Sequence, residues 1–349
     1  MKKTYFINDK GIKLPVSERK YLIPFLTSTT KGTLYYQTPK KIGIKKDYIA
    51  DKLLQLHQFL DITQSLGIET RNKSLIDIGT GNGLMPKLLL MTNYFKKVLG
   101  TDKYAPYEHE SANIPLEDEV FHLFYEYFIK KLKKNYLSYP EYKNDVKGTA
   151  EKEIFIPQKI RVNNIQKRKL KKYLFKKYGA DKLYKLKSKF DFVYCKGIEH
   201  IPNWANVVKN ISSVTKRKSY VYLKIRPFFS YLGPHRFATT AIPWGHALLS
   251  DKEYIRYAKE FHKNRSDQMI KSYFSTLTMP RYSSDQLIKF FNQYNFSLIC
   301  KKVETPPYLK QINKFRKTIP KFDYIISNKK NITNVDLSSS AQHLVFQKN

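Results

Sequence analysis

Apolar residues recur at helical spacing from Asp47 to Gly67, through Ile49, Leu53, Leu54, Leu56, Phe59, Leu60 and Leu66, and Gly67 is placed to end the helix. The short apolar run Ser74 to Ile78 (SLIDI) then predicts a strand stopped by Gly79. A glycine loop passes into a predicted helix from Leu84 to Thr92, with Pro86 in its first turn. Lys97 to Thr101 predicts the next strand, stopped by Asp102. Strand, glycine loop, helix, strand and acid make one half of a doubly wound sheet.

The following stretch, residues 105–188, is longer than a simple crossover and strongly basic. It reads as an insertion that also carries the third strand. The pattern predicts a helix over about 116–134, a loop with Pro140 and Gly148, a strand over 153–156 and a Lys-rich helix over about 164–178. Regularity returns with a strand at Phe190 to Cys195, a helix from Trp204 to Ser213 capped by Asn203, and a strand from Ser219 to Ile225. A loop rich in aromatics, Gly, Pro and His runs from Pro227 to Leu249, and Ser250 with Glu253 forms a capping box opening a helix to about Asn264. A helix from Asp285 to Tyr294, a strand from Phe296 to Val303, a second insertion over 305–340 and a last strand from His343 to Gln347 complete the chain.

The first 45 residues lack periodicity and are expected to form an arm or cap, with residues 46–349 as one domain carrying both insertions. The expected fold is α/β: a doubly wound, mostly parallel seven-stranded sheet with helices on both faces and an antiparallel C-terminal edge strand. No internal repeat is visible.

Composition modifies this picture little. No stretch reaches the roughly 20 apolar residues of a membrane span, and Met1, Lys2 and Lys3 lead into polar residues, so a cytoplasmic protein is expected. Cys195 and Cys300 sit in apolar runs and suggest neither a disulfide framework nor a metal site. The net charge of +35 invites a nucleic-acid partner. Yet 53 of the 64 basic residues are Lys and only 11 are Arg, in a chain rich in Asn, Ile, Tyr and Phe. That mixture is what AT-rich codons produce, whereas phosphate readers favour the bidentate fork of Arg.

The chemistry concentrates in the run Asp77, Ile78, Gly79, Thr80, Gly81, Asn82 and Gly83. Three glycines at alternate positions let the backbone turn sharply and approach a ligand, with the next helix's first amides aimed at it. Asp77 ends the strand, where a carboxylate can receive a cofactor ammonium. Asp102 ends the next strand, where it can accept both hydroxyls of a ribose. The third glycine follows the second by two residues rather than three, unlike the dinucleotide fingerprint, which fits a ligand without a pyrophosphate.

The motifs SLIDIGTGNG, Asp102 and FDFVYCKGIEHIPNW (Phe190 to Trp204) together resemble the class I S-adenosylmethionine-dependent methyltransferases, over roughly Asp47 to Val303. The resemblance implies S-adenosyl-L-methionine as cofactor. It places Asp77, Gly79, Gly81 and Gly83, with Thr80 and Asn82 between them, around the methionine part and Asp102 on the ribose. Lys103 would lie along the adenosine, and Asp181 would meet the adenine amino group or stand as a solvated helix-end carboxylate.

In such a sheet the ligand lies beyond the carboxyl ends of the strands, so Lys196, Gly197, Glu199 and His200 should surround the sulfonium and the acceptor. His200 is a candidate base, because imidazole titrates near neutrality, or a packing residue beside the cofactor. The segment from Lys224 to Ser250 resembles one carried by small-molecule members of the family, matching at Pro227, Ser230, Gly233, His235, Pro243, Trp244, His246 and Ser250. It implies an acceptor pocket in which His235 or His246 acts as base, Arg226 or Arg236 binds an anionic group, and Trp244 forms an apolar wall. The plainer alternatives are Trp244 as core, the arginines as solvated charge and the histidines as loop staples. Ligand spacing for a metal is lacking.

The sequence therefore points to a methyltransferase acting on a small molecule or sugar, with oxygen as the expected methyl acceptor. An RNA methyltransferase using the basic surface and a non-catalytic cofactor-binding scaffold are the alternatives. Against base-amino methylation, Cys195, Lys196, Gly197 and Ile198 stand where an Asn/Asp-Pro-Pro-aromatic tetrad would be. Oligomeric state is left open by the sequence.

Overall fold

The computed structural model describes residues 5–16, 52, 55–56, 58–91, 95–105, 174–231, 233, 238, 240–276, 281–305, 309–327 and 332–349. The helix expected over about 116–134 and the strand over 153–156 lie outside the described residues. Nine strands are described: β1 (Tyr5–Ile7), β2 (Lys13–Pro15), β3 (Lys73–Ile78), β4 (Phe95–Thr101), β5 (Leu174–Lys176), β6 (Phe190–Lys196), β7 (Thr215–Ile225), β8 (Phe296–Glu304) and β9 (Ala341–Lys348). Seven form one sheet in the order β5-β4-β3-β6-β7-β9-β8, mostly parallel with antiparallel C-terminal strands. The last strand is set one place in from the edge, which β8 occupies. Burial explains the order: six successive residues of β9 are enclosed, whereas β8 is half-exposed along most of its length.

The Lys-rich helix expected to run to Tyr178 is corrected at its end, because Leu174–Lys176 is a strand paired in parallel with Leu99 to Thr101 of β4. A three-residue edge strand is too short to show a period, so pairing with β4 decides its conformation.

The chain resolves into two compact units. The first comprises Thr38–Lys196, Lys209–Tyr222 and Gln347–Asn349. In it β3 pairs in parallel with β4 on one side and β6 on the other. The helix at 58–65 ends as its Gly67 predicts, with φ +67° and the Ile68 amide donating to the Thr63 carbonyl at 2.9 Å. Its Phe59 packs edge-on against Phe192, Tyr194 and Tyr222, with centroids 5.4, 5.3 and 4.9 Å away. These contacts hold the helix on β6 and β7, and β6 pairs with β3, the strand whose end carries the glycine loop.

The second unit comprises Met1–Gln37, Gly197–Val208 and Leu223–Phe346. Residues 5–16, without periodicity in sequence, form a hairpin of β1 and β2 whose turn is set by Asn8 Oδ1 accepting the Ile12 amide at 2.8 Å and by Gly11 at φ +72°. Phe6 and Leu14 of the hairpin join a buried core with Phe228, Tyr231, Trp244 and Tyr254. The helix Asp251–His262 opens on the expected capping box of Ser250 and Glu253. The second insertion is folded into short helices, Leu309–Arg316, Phe322–Ser327 and Asn334–Ser338. Among the described residues no helix is long and apolar enough to cross a membrane.

Candidate active site

The glycine loop is built in the first unit. The amides of Gly79 and Thr80 both donate to the Thr101 carbonyl, at 2.9 and 3.0 Å, which ties the end of β3 to the end of β4. Gly79, Gly81 and Gly83 have φ of +74°, +62° and +78°. All three are in the left-handed region that side chains disfavour, which is why glycine recurs at alternate positions. Gly81 donates its amide to Asp102 Oδ2 at 2.8 Å, and Asn82 Oδ1 accepts the Leu84 amide at 3.2 Å as the helix Leu84–Met91 begins.

Two carboxylates flank this loop. Asp77 is buried, and desolvation pushes its carboxyl up to about 6, against the weaker pull of Thr80 and Lys52, with Asp102 adding to the rise. A buried carboxylate held so far above its ordinary value has an uncompensated preference for a cation, which fits the ammonium of an amino-acid-bearing cofactor. Asp102 accepts the Gly81 amide on one oxygen and the Tyr104 amide on the other, the latter at 3.0 Å, so the plane of its carboxylate is fixed. Lys103 and Asp181 come together across Gly179, where an added Cβ would stand 3.7 Å from Lys103 Cβ and collide with the Asp181 carboxylate. The Asp181 side chain itself is exposed. Lys196 ends β6, and its carbonyl faces Gly79, 4.0 Å from where a Cβ would be.

In the second unit Gly197, at φ +95°, turns the chain out of the strand into the single 3-10 turn Ile198–His200. The Gly197 amide donates to the Lys224 carbonyl at 3.4 Å, and Glu199 Oε1 accepts the Arg226 amide at 3.2 Å. Trp204 donates its indole N–H to the Ile198 carbonyl at 2.9 Å, fixing the turn from the other side. His200, half-buried, lies over Gly197, its Cδ2 3.4 Å from the position a Cβ would take. Arg226 is exposed.

The described residues of the loop after β7 are largely enclosed. Trp244 is 1% exposed, with its indole N–H donated to the Leu337 carbonyl at 3.0 Å and its ring edge-on to Tyr231 and Phe322. His246 is also buried, its ring edge-on to Phe228 at 5.3 Å and against Gly233, where a Cβ would approach to 3.2 Å. His235 and Arg236 lie outside the described residues.

Sequence reasoning missed two clusters in this unit. Arg281 stacks over Tyr273 and Phe228, 4.5 and 5.1 Å from their centroids, and pairs with Asp251 at 2.7 Å. Glu304 Oε1 accepts from Lys224 Nζ at 2.9 Å and from His343 Nε2 at 2.6 Å. Arg281 has no signal in its flanking sequence. His343 does have one, a polar residue directly before the apolar run Leu344 to Phe346.

The sequence model of the Methyltransferase domain family matches residues 49–301. The chain belongs to this methyltransferase family. With its seven-stranded sheet it is a class I enzyme of that family, dependent on S-adenosylmethionine. The methyltransferase matches no curated protein by sequence. Among solved structures it is similar to magnesium protoporphyrin IX methyltransferase from Synechocystis PCC 6803, at 10% identity over 95% of this chain and 97% of that one, with a TM-score of 0.40. It is also similar to phosphoethanolamine N-methyltransferase 2 from Haemonchus contortus, at 14% identity over 96% of this chain and 61% of that one, with a TM-score of 0.41. Likeness at this level bears on neither acceptor nor chemistry.

Proposed function

We propose that this methyltransferase transfers the methyl group of S-adenosylmethionine to an oxygen atom of a small molecule or sugar. The observation that carries the reading is His200, half-buried at the carboxyl end of β6 on a turn fixed by Gly197, Glu199 and Trp204. A hydroxyl acceptor must lose a proton as it attacks, and an imidazole held at a strand end can take it.

The cofactor supplies a sulfonium-activated methyl group. Asp77 would hold its ammonium, the backbone of Gly79 to Gly83 would receive its methionine part, and Asp102 would hold its ribose. Lys103 and Asp181 would border the adenosine, with Lys196 and Gly197 beside the sulfonium. His200 would take the acceptor's proton at an imidazole nitrogen, leaving an oxygen nucleophile for the activated methyl group, whose bond to sulfur breaks to leave a neutral thioether. Arg226, exposed next to Glu199, would meet an anionic group on the acceptor. For His246 and Trp244, enclosed as they are, we favour shaping the loop over contact with the reacting atoms.

Turnover with a panel of phenols, sugars and amines, read by product mass, tests the reading. O-methylated product is expected, with His200→Gln lowering kcat about 100-fold or more while cofactor affinity is kept. Exclusive N-methylation, or an unaltered kcat in His200→Gln, overturns it.

A further inference from the structure

The 3-10 turn Ala180–Lys185 follows β5 in the first unit. With three residues per turn, positions three apart eclipse. The turn therefore sorts its side chains into rows: Ala180 and Leu183 inward and buried, Asp181 with Tyr184, and Lys182 with Lys185. Tyr184 is 62% exposed, and both lysines are exposed.

This turn continues a surface that opens directly after Asp102. Gly179, whose carbonyl accepts the Lys182 amide at 2.9 Å, lies against Lys103. Lys103 Nζ is 5.6 Å from the ring centroid of Tyr104, itself 52% exposed. Lys176 of β5 is exposed too, and its carbonyl accepts the Asp102 amide at 3.4 Å. Among the described residues, Lys103, Lys176, Lys182 and Lys185 enter no salt bridge, whereas Lys216, Lys224 and Lys301 are each paired with a carboxylate. Among the described residues this stretch thus presents four ammonium groups outside any salt bridge together with two exposed phenol rings, with Asp102 and Asp181 as the acids beside them.

We propose that this surface binds single-stranded RNA, with phosphates on the lysines and bases stacked on Tyr104 and Tyr184. Codon bias raises the number of lysines and tyrosines alike but does not set their placement, and here Tyr104 and Tyr184 are both more than half exposed beside these lysines. A groove of lysine and aromatic side chains is what a flexible strand with unstacked bases rewards. RNA offers such bases in its loops and ends. An anionic membrane would call for an apolar helix face, which a 3-10 turn with its apolar row buried does not provide. The proposal is independent of which molecule accepts the methyl group.

The test is fluorescence anisotropy of a labelled single-stranded RNA oligomer with the full chain across a salt series. Binding should weaken steeply with salt. The double variant Lys182→Gln with Lys185→Gln should flatten the log–log salt slope by about 1 to 1.5, because each lysine on a single strand contributes about 0.7. Tyr184→Ala should weaken binding about fivefold or more at an unchanged slope, since stacking carries no counterion release. A control pair on exposed Lys310 and Lys314 of the other unit changes net charge equally and should leave the slope in place. Loss in the control equal to that in the 182 and 185 pair overturns the proposal, as does an unaffected Tyr184→Ala. So does tighter binding to the deoxy oligomer, to polyphosphate or to vesicles of anionic lipid.

Discussion

The Gly81 amide donates to Asp102 across 2.8 Å, so the middle glycine of the loop and the acid at the end of the next strand hold each other before any ligand arrives. Asp102, which we propose holds the ribose, is therefore also a brace for the glycine turn. Asp102→Ala removes both duties. Loss of a charge-assisted partner is worth roughly 1.5–3 kcal/mol, or about 10- to 150-fold in dissociation constant. Calorimetry with S-adenosylmethionine should show at least that loss, and Asp102→Asn, which keeps an acceptor for one amide, should fall between the two.

Asp77 gives the enzyme a pH signature. Its carboxyl titrates at about 6 in the folded chain against an ordinary 3.8, because burial disfavours the charged form. Below the ordinary value the group is neutral in both states. Between the two values only the folded chain holds the proton, so the stability this contributes is lost as pH rises through about 6. The shift corresponds to about 3 kcal/mol. Asp77→Asn should therefore raise the unfolding free energy of the ligand-free protein at pH 8 by up to about 3 kcal/mol, with the gain vanishing towards pH 4. The same substitution should weaken cofactor binding. In the unsubstituted chain, affinity should fall as pH drops below about 6, by up to about tenfold per unit.

Much of this was readable from residue order. The short apolar run SLIDI, the glycine spacing and the acid of Asp102 define a strand-turn-helix-strand unit by local chemistry alone, and the Ser250 and Glu253 capping box is likewise local. What escaped depends on distant partners. Leu174–Lys176 is a strand because β4 offers it hydrogen bonds, and neighbouring lysines cannot announce that. The hairpin of residues 5–16 is held by Phe6 and Leu14 entering a core made by residues over 200 positions away. In the loop after β7, the sequence named Trp244 and His246 without showing that Tyr231, Phe322 and Phe228 enclose them.

The carboxylate of Glu304 is shared by Lys224 and His343. Lys224 and His343 hold it well below the usual carboxylate range despite burial. Burial keeps His343 below the usual imidazole value, because the Glu304 contact only partly offsets desolvation and the nearby lysines. Both depressed values act in one direction: the unfolded chain takes up protons first as pH falls, so stability is lost in acid. Urea unfolding should show the loss beginning below about pH 6.5, where free histidine protonates, and deepening below about 4.5. Lys224→Met should cost about 1.5–3 kcal/mol by leaving the carboxylate without its cation, and adding Glu304→Gln should recover part of that cost. An additive double variant would mean that the two side chains are not coupled.

Trp244 separates two readings of the loop after β7. As an acceptor wall, its truncation would mainly raise KM. Its surroundings point to a different outcome, because the ring is 1% exposed, donates to the Leu337 carbonyl and packs edge-on against Tyr231 and Phe322. Trp244→Ala would open a large cavity and orphan that carbonyl, at a cost of about 3–5 kcal/mol in unfolding free energy. Trp244→Phe would keep most of the packing and lose the hydrogen bond, at about 1–2 kcal/mol. Denaturant melts of both variants, set beside KM for whichever acceptor the panel identifies, decide the matter. Stability falling in that order with KM within about twofold for Trp244→Phe fits a core tryptophan, while a large rise in KM with unaltered melts would place the ring against the substrate.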